Sequence, residues 1–235
     1  MDTEKIKNFY SDLHFPGRYD SDDLEFYKRE GVDINIYLKE INNVVTNNIE
    51  VLDIGCGTGL ISNTFANLYP KSKFTGVDFS NSIDYARTMS KENNIKNIKW
   101  IKEDFLKVKL GKKYDVVICC GVLHHIPQYQ EALDKLKSLI KPGGTLLIAV
   151  YNPMGKILKR IKKINYNSST LFEDQENNPF ELSFTKQTVL NMCSDLKFQS
   201  VQPSWGNYLV NFLSMFNSSN GGLAIYTFIN EHKVN

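Results

Sequence analysis

The sequence predicts an α/β fold in which helices cover a mostly parallel β-sheet. From residue 49 onward, short and nearly continuous apolar runs alternate with longer amphipathic stretches. Such alternation is typical of βαβ units, whose parallel strands are buried on both faces and are therefore apolar throughout. The first run also leads directly into a glycine-rich loop, where open α/β sheets bind ligands. A polar and aromatic N-terminal region, residues 1–48, precedes this pattern and has helical periodicity over residues 24–45.

Five apolar runs are predicted to be the first strands of the sheet. They are residues 50–54, 74–78, 98–101, 114–120 and 145–150. Three amphipathic stretches between them are each long enough for about three helical turns. These are residues 59–69, 82–93 and 129–140, and the last is followed by a Pro-Gly-Gly helix stop.

The C-terminal part predicts one more helix and two more strands. The helix follows Thr185, whose side chain suits an N-cap, and the strands cover about residues 198–202 and 223–229. The simplest organisation is one α/β domain, residues 49–235, behind an N-terminal extension or lid.

Two segments interrupt the α/β pattern of this domain. One is an insertion at about residues 154–184, and the other is an aromatic segment at about residues 204–217. We expect both to lie outside the core of the sheet, because neither continues the alternation of strands and helices.

The composition is that of an ordinary globular chain, with 42% apolar and 23% charged residues. It excludes a mainly disordered protein. The formal net charge of +2 selects no polyanion, so a nucleic-acid partner would need a local basic patch. The four cysteines have no metal-ligand or disulfide spacing, and no apolar run approaches the length of a membrane span. We expect a cytoplasmic protein without a metal site or stable membrane insertion.

The strongest functional signal is the loop at residues 51–59, Val-Leu-Asp-Ile-Gly-Cys-Gly-Thr-Gly. Its glycines, Gly55, Gly57 and Gly59, allow a tight turn and a close approach of backbone to ligand. A carboxylate follows each of the next two strands: Asp78 and Asp104. The first of them stands where a ribose-binding acid is expected. The dinucleotide pattern Gly-x-Gly-x-x-Gly is absent, because Leu60 occupies its third glycine position.

These motifs resemble those of the class I S-adenosylmethionine-dependent methyltransferases. The resemblance covers residues 49–150 and includes the fourth-strand segment 114–127 and the Pro-Gly-Gly turn before the fifth strand. It implies a Rossmann-like sheet of seven strands with the last strand antiparallel, helices on both faces, and S-adenosylmethionine as cofactor. It also implies a set of cofactor-binding residues: Asp53, Gly55, Cys56, Gly57, Gly59, Asp78, Phe79, Ser80, Asp104, Phe105 and Cys120.

His124 and His125 follow the fourth strand, whose carboxyl end should face the transferred methyl group. Histidine can accept a proton near neutral pH, so one of the pair is a candidate general base. At most one should face the acceptor, because neighbours on an extended segment point in opposite directions. The alternative is that both histidines only shape the loop.

Aromatic and basic residues outside the core motifs are the candidates for binding the methyl acceptor. They are Tyr10, Arg18, Tyr19, Tyr151 and Trp205. The first three belong to an aromatic segment around a Pro-Gly turn, which is either a lid over the pocket or a surface arm. Packing in the core is the alternative for the last two, because aromatic side chains dominate cores as well as pockets.

The sequence thus predicts a methyltransferase that acts on oxygen or nitrogen of a small-molecule acceptor. One alternative is an RNA methyltransferase that uses the basic amphipathic segment 156–163. This segment also suits a solvated helix face, contact with an anionic membrane surface or an anionic substrate. Another is a subunit that binds the cofactor without turnover. The acceptor and the oligomeric state do not follow from the sequence.

Overall fold

Seven β-strands form a single sheet in the computed structural model, which describes residues 5–6, 9–10, 17, 19–153, 179–202 and 223–231. The strands are β1 Glu50–Ile54, β2 Lys73–Asp78, β3 Ile98–Lys102, β4 Tyr114–Cys120, β5 Ile140–Tyr151, β6 Lys197–Gln202 and β7 Leu223–Ile229. Their order across the sheet is β3-β2-β1-β4-β5-β7-β6. Strands β1 to β5 pair in parallel, whereas β7 is antiparallel to both β5 and β6. The predicted Rossmann-like sheet with an antiparallel last strand is confirmed.

Helices connect the parallel strands as the periodicity predicts. Those described are α1 Ser21–Phe26, α2 Val32–Ile34, α3 Ile36–Asn42, α4 Leu60–Leu68, α5 Ser82–Glu92, α6 Tyr129–Ser138 and α7 Lys186–Met192. A π-helical turn, Tyr27–Gly31, joins α1 to α2, and a 3₁₀ turn, Leu123–His125, follows β4. Thr185 caps α7 as predicted, since its side chain accepts a hydrogen bond from the Thr188 N–H.

The N-terminal helical region is broken where its periodicity alone predicts continuous helix over residues 24–45. The break lies at Asn35, whose side-chain oxygen accepts hydrogen bonds from the N–H groups of Tyr37 and Leu38. Asparagine satisfies helix N-terminal donors well, so α3 starts anew at this residue.

Strand β5 begins earlier than predicted, at Ile140 instead of residue 145. The Pro-Gly-Gly segment is therefore part of the strand's irregular first half. The Gly143 N–H donates to the Asn230 carbonyl at 2.6 Å, and the Asn230 N–H donates to the Gly144 carbonyl at 2.9 Å. Pairing with the chain beyond β7 thus extends a strand that the local sequence would end.

Two apolar clusters lie on the two faces of the sheet. Val51 belongs to one cluster and its neighbour Leu52 to the other, because successive strand residues point to opposite faces. Helices α3, α4 and α5 cover the first face, and helices α6 and α7 cover the second. The loops that follow the parallel strands lie at the carboxyl ends of these strands and form the candidate site.

Two other sequence predictions concern membranes and metals. No helix within the described ranges is both long enough and apolar enough to span a bilayer. Across the same residues, histidine, cysteine and carboxylate side chains form no cluster suited to a metal ion.

Candidate active site

A cavity opens at the carboxyl ends of β1, β2 and β4 and at the loop that follows β3. Ten residues of the sequence-predicted sites line it: Tyr10, Gly55, Gly57, Asp78, Phe79, Ser80, Asp104, Phe105, Cys120 and His125. Motifs that are up to 115 positions apart in the chain thus meet in one place, because parallel strands present their carboxyl ends at the same edge of the sheet.

The glycine loop reaches the cavity with a backbone that only glycine adopts easily. Gly55 has a φ of +67°, and a Cβ added to it would lie 2.1 Å from Cγ2 of Val122. Side chains are strained in this left-handed region, and a neighbour at such a distance leaves no room for one. The Gly55 N–H donates to the Val77 carbonyl at 2.8 Å, which ties the start of the loop to β2.

Asp78 is the polar centre of the site. One carboxylate oxygen accepts a hydrogen bond from the Gly57 N–H at 2.8 Å, and the other accepts from the Ser80 N–H at 2.8 Å. The side chain is 9% exposed and lines the cavity. It therefore holds the glycine loop while it keeps acceptor capacity for a ligand, because each carboxylate oxygen can accept more than one bond.

The loop after β3 brings a second carboxylate to the same wall. The Glu103 N–H donates to the Asp78 carbonyl at 3.0 Å, which joins the loop to the end of β2. Asp104 lines the cavity, and its carboxylate accepts a hydrogen bond from the Leu106 N–H at 3.0 Å. The buried ring of Phe105 supplies an apolar surface beside it.

Asp53 lies behind the glycine loop and is not one of the described residues that line the cavity. It is 2% exposed, and its carboxylate accepts a hydrogen bond from the Ser62 hydroxyl on α4 at 2.8 Å. Burial raises the pKa of Asp53 to about 7, and the nearby Asp78 charge acts in the same direction, whereas the bond from Ser62 opposes both. In this arrangement the carboxyl binds the loop to α4.

Cys56 and Gly59 are residues of the glycine loop that do not line the cavity, although the resemblance implies that they contact the cofactor. Cys56 is buried, and a Cβ at Gly59 would lie 2.6 Å from Cβ of Ala86 and 2.7 Å from the Trp100 ring. Gly59 therefore allows α4 to pack against α5 and β3. The motif spacing gives no signal of this role, since Trp100 comes from a distant strand.

The two histidines that follow β4 have different surroundings. His125 lines the cavity, and its Nδ1 lies 3.2 Å from the Phe180 carbonyl oxygen. His124 is fully buried, with its ring 4.2 Å from the Tyr151 ring between centroids. A carbonyl oxygen can only accept, so the contact with Phe180 places the proton of a neutral His125 ring on Nδ1 and leaves Nε2 as its basic nitrogen.

Tyr10 contacts two other rings of the cavity wall. Its ring centroid lies 6.2 Å from that of Phe79 and 5.7 Å from that of His125, each in an edge-to-face arrangement. Ile6, four residues earlier in the chain, is buried and also lines the cavity. Ile6 was not predicted as a site residue, and only its spacing of four residues from Tyr10 could have suggested it.

Two predicted acceptor contacts lie elsewhere in the structure. Tyr19 is buried in the core, where its hydroxyl bonds the glycine loop from behind. Tyr151 is buried beside His124 at the end of β5. Neither is one of the described residues of the cavity wall. Arg18, Trp205, the basic segment 156–163 and the aromatic segment 204–217 lie outside the described residues.

Comparisons with known proteins agree with this arrangement. A family model described as a methyltransferase domain matches residues 45–205. The ubiquinone biosynthesis O-methyltransferase of Rickettsia bellii (strain OSU 85-389) is 32% identical over 166 residues, which are 63% of this chain and 68% of that protein.

Two solved structures show the same fold. The N-methyltransferase NodS from Bradyrhizobium japonicum WM9, in complex with S-adenosyl-L-homocysteine (SAH), has a TM-score of 0.55 at 16% identity and covers 90% of this chain and 98% of its own. Magnesium protoporphyrin IX methyltransferase from Synechocystis PCC 6803, with bound SAH, has a TM-score of 0.64 at 15% identity. It covers 97% of this chain and 100% of its own.

The sheet order, the glycine loop and the carboxylates beside it are those of the class I S-adenosylmethionine-dependent methyltransferases. The chain belongs to the methyltransferase domain family, whose model matches more than half of it.

Proposed function

We propose that this protein transfers a methyl group from S-adenosylmethionine to oxygen or nitrogen of a small-molecule acceptor. The observation that carries the proposal is the shared wall of one cavity. Asp78, Asp104 and the glycine loop line the same cavity as His125 and Tyr10. The residues proposed for the cofactor and those proposed for the acceptor therefore lie around one cavity, and positioning of two substrates side by side supplies much of the acceleration of their reaction.

Each part of the cavity suits one part of S-adenosylmethionine, which supplies the methyl group on a sulfonium. The Gly55 and Gly57 backbone lines the cavity and would lie against the methionine portion. Asp78 would accept hydrogen bonds from the ribose hydroxyls, and Asp104 would accept from the adenine amino group. Phe79 and Phe105 offer apolar surfaces for the purine.

His125 and Tyr10 are the proposed acceptor-side residues. A hydroxyl acceptor needs a base, and His125 is the histidine of the pair that lines the cavity. An amine acceptor needs only to be neutral and correctly oriented. The ring of Tyr10 against His125 would exclude water from the reacting groups and restrict the orientation of the acceptor.

We also infer a cytoplasmic location. The four cysteines are all free thiols, and three of them are buried within the fold. Free thiols suit a reducing compartment.

Calorimetric titration with SAH tests the cofactor half of the proposal. Asp78→Ala should weaken binding by about 1.5–3 kcal/mol, or roughly 10- to 150-fold, because a hydrogen bond to a charged group is lost. Asp84→Ala is the matched control: this exposed carboxylate pairs with Arg87 and Lys102, away from the cavity. Equal affinity of the Asp78 variant and the wild-type protein would remove Asp78 from the ribose site.

The two alternative functions predict different binding results for the same purified protein. A protein that binds no SAH would fit a subunit that retains only the fold. RNA binding that weakens steeply with salt would support the RNA methyltransferase, because phosphate contacts release counterions. Mass spectrometry of candidate acceptors incubated with S-adenosylmethionine would then identify the methylated atom.

A further inference from the structure

The side chain of Lys135 reaches from α6 to the loop that follows β3. Its Nζ lies 2.6 Å from the carbonyl oxygen of Phe105, 3.1 Å from that of Leu106 and 2.8 Å from that of Val108. An ammonium group has three N–H donors and no acceptor, so these three carbonyls use all of them. The same Nζ lies 5.1 Å from the centroid of the Phe105 ring, within the range of a cation–π contact.

Asp104 organises the other side of the same turn. Its carboxylate accepts from the Leu106 N–H, and its backbone carbonyl accepts from the N–H groups of Lys107 and Val108, both at 2.9 Å. Asp104 thus satisfies the donors of residues 106–108, while Lys135 satisfies the carbonyls of residues 105, 106 and 108. Without Lys135, three carbonyls would lose a charged donor at once.

These contacts differ from those of an ordinary surface lysine. The partners of Lys135 are neutral carbonyls, so its charge is not cancelled by an ion pair at the loop. Burial lowers the pKa of Lys135, and the negative charges of Asp104 and Glu131 oppose that effect. A half-buried ammonium group is stabilised in this position by its hydrogen bonds, because a charge that leaves water is costly unless it is bonded.

We propose that Lys135 is a positioning residue for cofactor recognition. It fixes the turn at residues 104–108 so that Asp104 and Phe105 face the purine, and it thereby sets the selectivity of the site for a 6-amino purine. The inference depends on the proposed function, since it takes Asp104 as the acceptor for the adenine amino group. Lys135 itself does not line the cavity and acts through the loop.

Selectivity between two ligands provides the first test. The 6-deamino analogue of SAH carries a hydrogen atom where SAH carries the 6-amino group, so its purine has no N–H donor for Asp104. By calorimetry, the wild-type protein should bind SAH at least about tenfold more tightly than this analogue, because SAH makes one additional hydrogen bond to a charged group. Lys135→Met keeps the aliphatic stem and removes the donors, and it should reduce this preference to less than about threefold.

Lys137→Met is the matched control on the same helix. Lys137 contacts Asp134 and Asp195 and does not touch the loop after β3, so its removal should leave the preference for SAH unchanged. A purely stabilising role of Lys135 would weaken the binding of both ligands equally and preserve the ratio. If Lys135→Met does not fold, Lys135→Arg replaces it, because a planar guanidinium cannot direct its donors at the same three carbonyls.

Hydrogen exchange without ligand gives an independent readout. The amides of Leu106, Lys107 and Val108 should exchange faster in Lys135→Met, while those of the central strands β1 and β4 exchange as in the wild-type protein. Local exchange reports the opening of this turn separately from global unfolding.

The outcomes separate this inference from the proposed function. An unchanged ratio in Lys135→Met, or unchanged exchange at residues 106–108, overturns the role of Lys135 and leaves the proposed function intact. Equal binding of both ligands by the wild-type protein also overturns it, since there is then no selectivity to support. A wild-type protein that binds neither ligand overturns the proposed function and this inference with it.

Discussion

The hydroxyl of Tyr19 donates a hydrogen bond to the backbone carbonyl of Thr58, 3.1 Å away in the glycine loop. The same hydroxyl accepts from Nδ2 of Asn63 at 2.8 Å, and the Ser90 hydroxyl donates to Oδ1 of Asn63 at 2.7 Å. The Trp100 indole N–H completes the series by donating to the Ser90 oxygen at 2.9 Å. The N-terminal region is thus bonded to the loop through a buried network that also joins α4, α5 and β3.

Tyr19→Phe should lower the free energy of unfolding by about 1–3 kcal/mol, because the buried Thr58 carbonyl loses this donor and the Asn63 amide keeps only its bond to the Ala86 carbonyl. Urea denaturation measures this change. Tyr27→Phe is the control, since no hydrogen bond of the Tyr27 hydroxyl is present among the described residues. A Tyr19 variant as stable as the control would mean that the network does not stabilise the fold.

Asp53→Asn should change how stability depends on pH. The folded protein keeps the Asp53 proton up to about pH 7, whereas an unfolded aspartate releases it near pH 4. Between these values the unfolded state binds fewer protons, so the contribution of Asp53 to the free energy of unfolding falls as pH rises. We expect a loss of roughly 2–4 kcal/mol across this range, which the Asn variant does not share.

Urea denaturation of both proteins at several pH values from 5 to 8 measures this difference. The amide can still accept the hydrogen bond from Ser62, so the variant should become more stable relative to wild type as pH rises. Asp84→Asn should keep the wild-type slope, because its ion pairs with Lys102 and Arg87 hold the pKa of Asp84 below its ordinary value. Parallel slopes for Asp53→Asn and wild type would contradict the raised pKa.

His125→Asn tests general-base catalysis at the cavity. If His125 accepts the acceptor's proton, the rate should fall roughly 10²- to 10⁴-fold while SAH affinity stays unchanged. The rate is measured at saturating S-adenosylmethionine with an identified acceptor, and the affinity by calorimetry. His124→Asn should mainly reduce stability, because that ring is fully buried against Tyr151.

A loss below tenfold for both histidine variants would show that neither acts as a base. Catalysis would then depend on proximity and on the nucleophilicity of the acceptor itself. An amine acceptor predicts that result, so the same measurement helps to distinguish N-methylation from O-methylation.

Local patterns in the sequence are sufficient for most of the fold. Strands β1, β4 and β7 have the predicted bounds, and the three connecting helices agree with theirs to within two residues at either end. The apolar periodicity of a strand or a helix reflects which of its faces is buried. Such elements can therefore be predicted without knowing which elements they pack against. The carboxylates Asp78 and Asp104 were also predictable, because their position after a strand places them at the ligand-binding edge.

The tertiary structure alone decides which motif residues face the cavity and which support it. Asp53 and Gly59 belong to the same sequence motif as Gly55 and Gly57, yet Asp53 bonds Ser62 on α4 and Gly59 packs against Ala86 and Trp100. Likewise, Lys135 lies about 30 residues from the carbonyls that it binds. The physical reason is that a side chain's direction from a loop, and its reach to another segment, depend on how helices pack on the sheet. The sequence by itself determined the elements and their order, whereas packing decided which side chains meet.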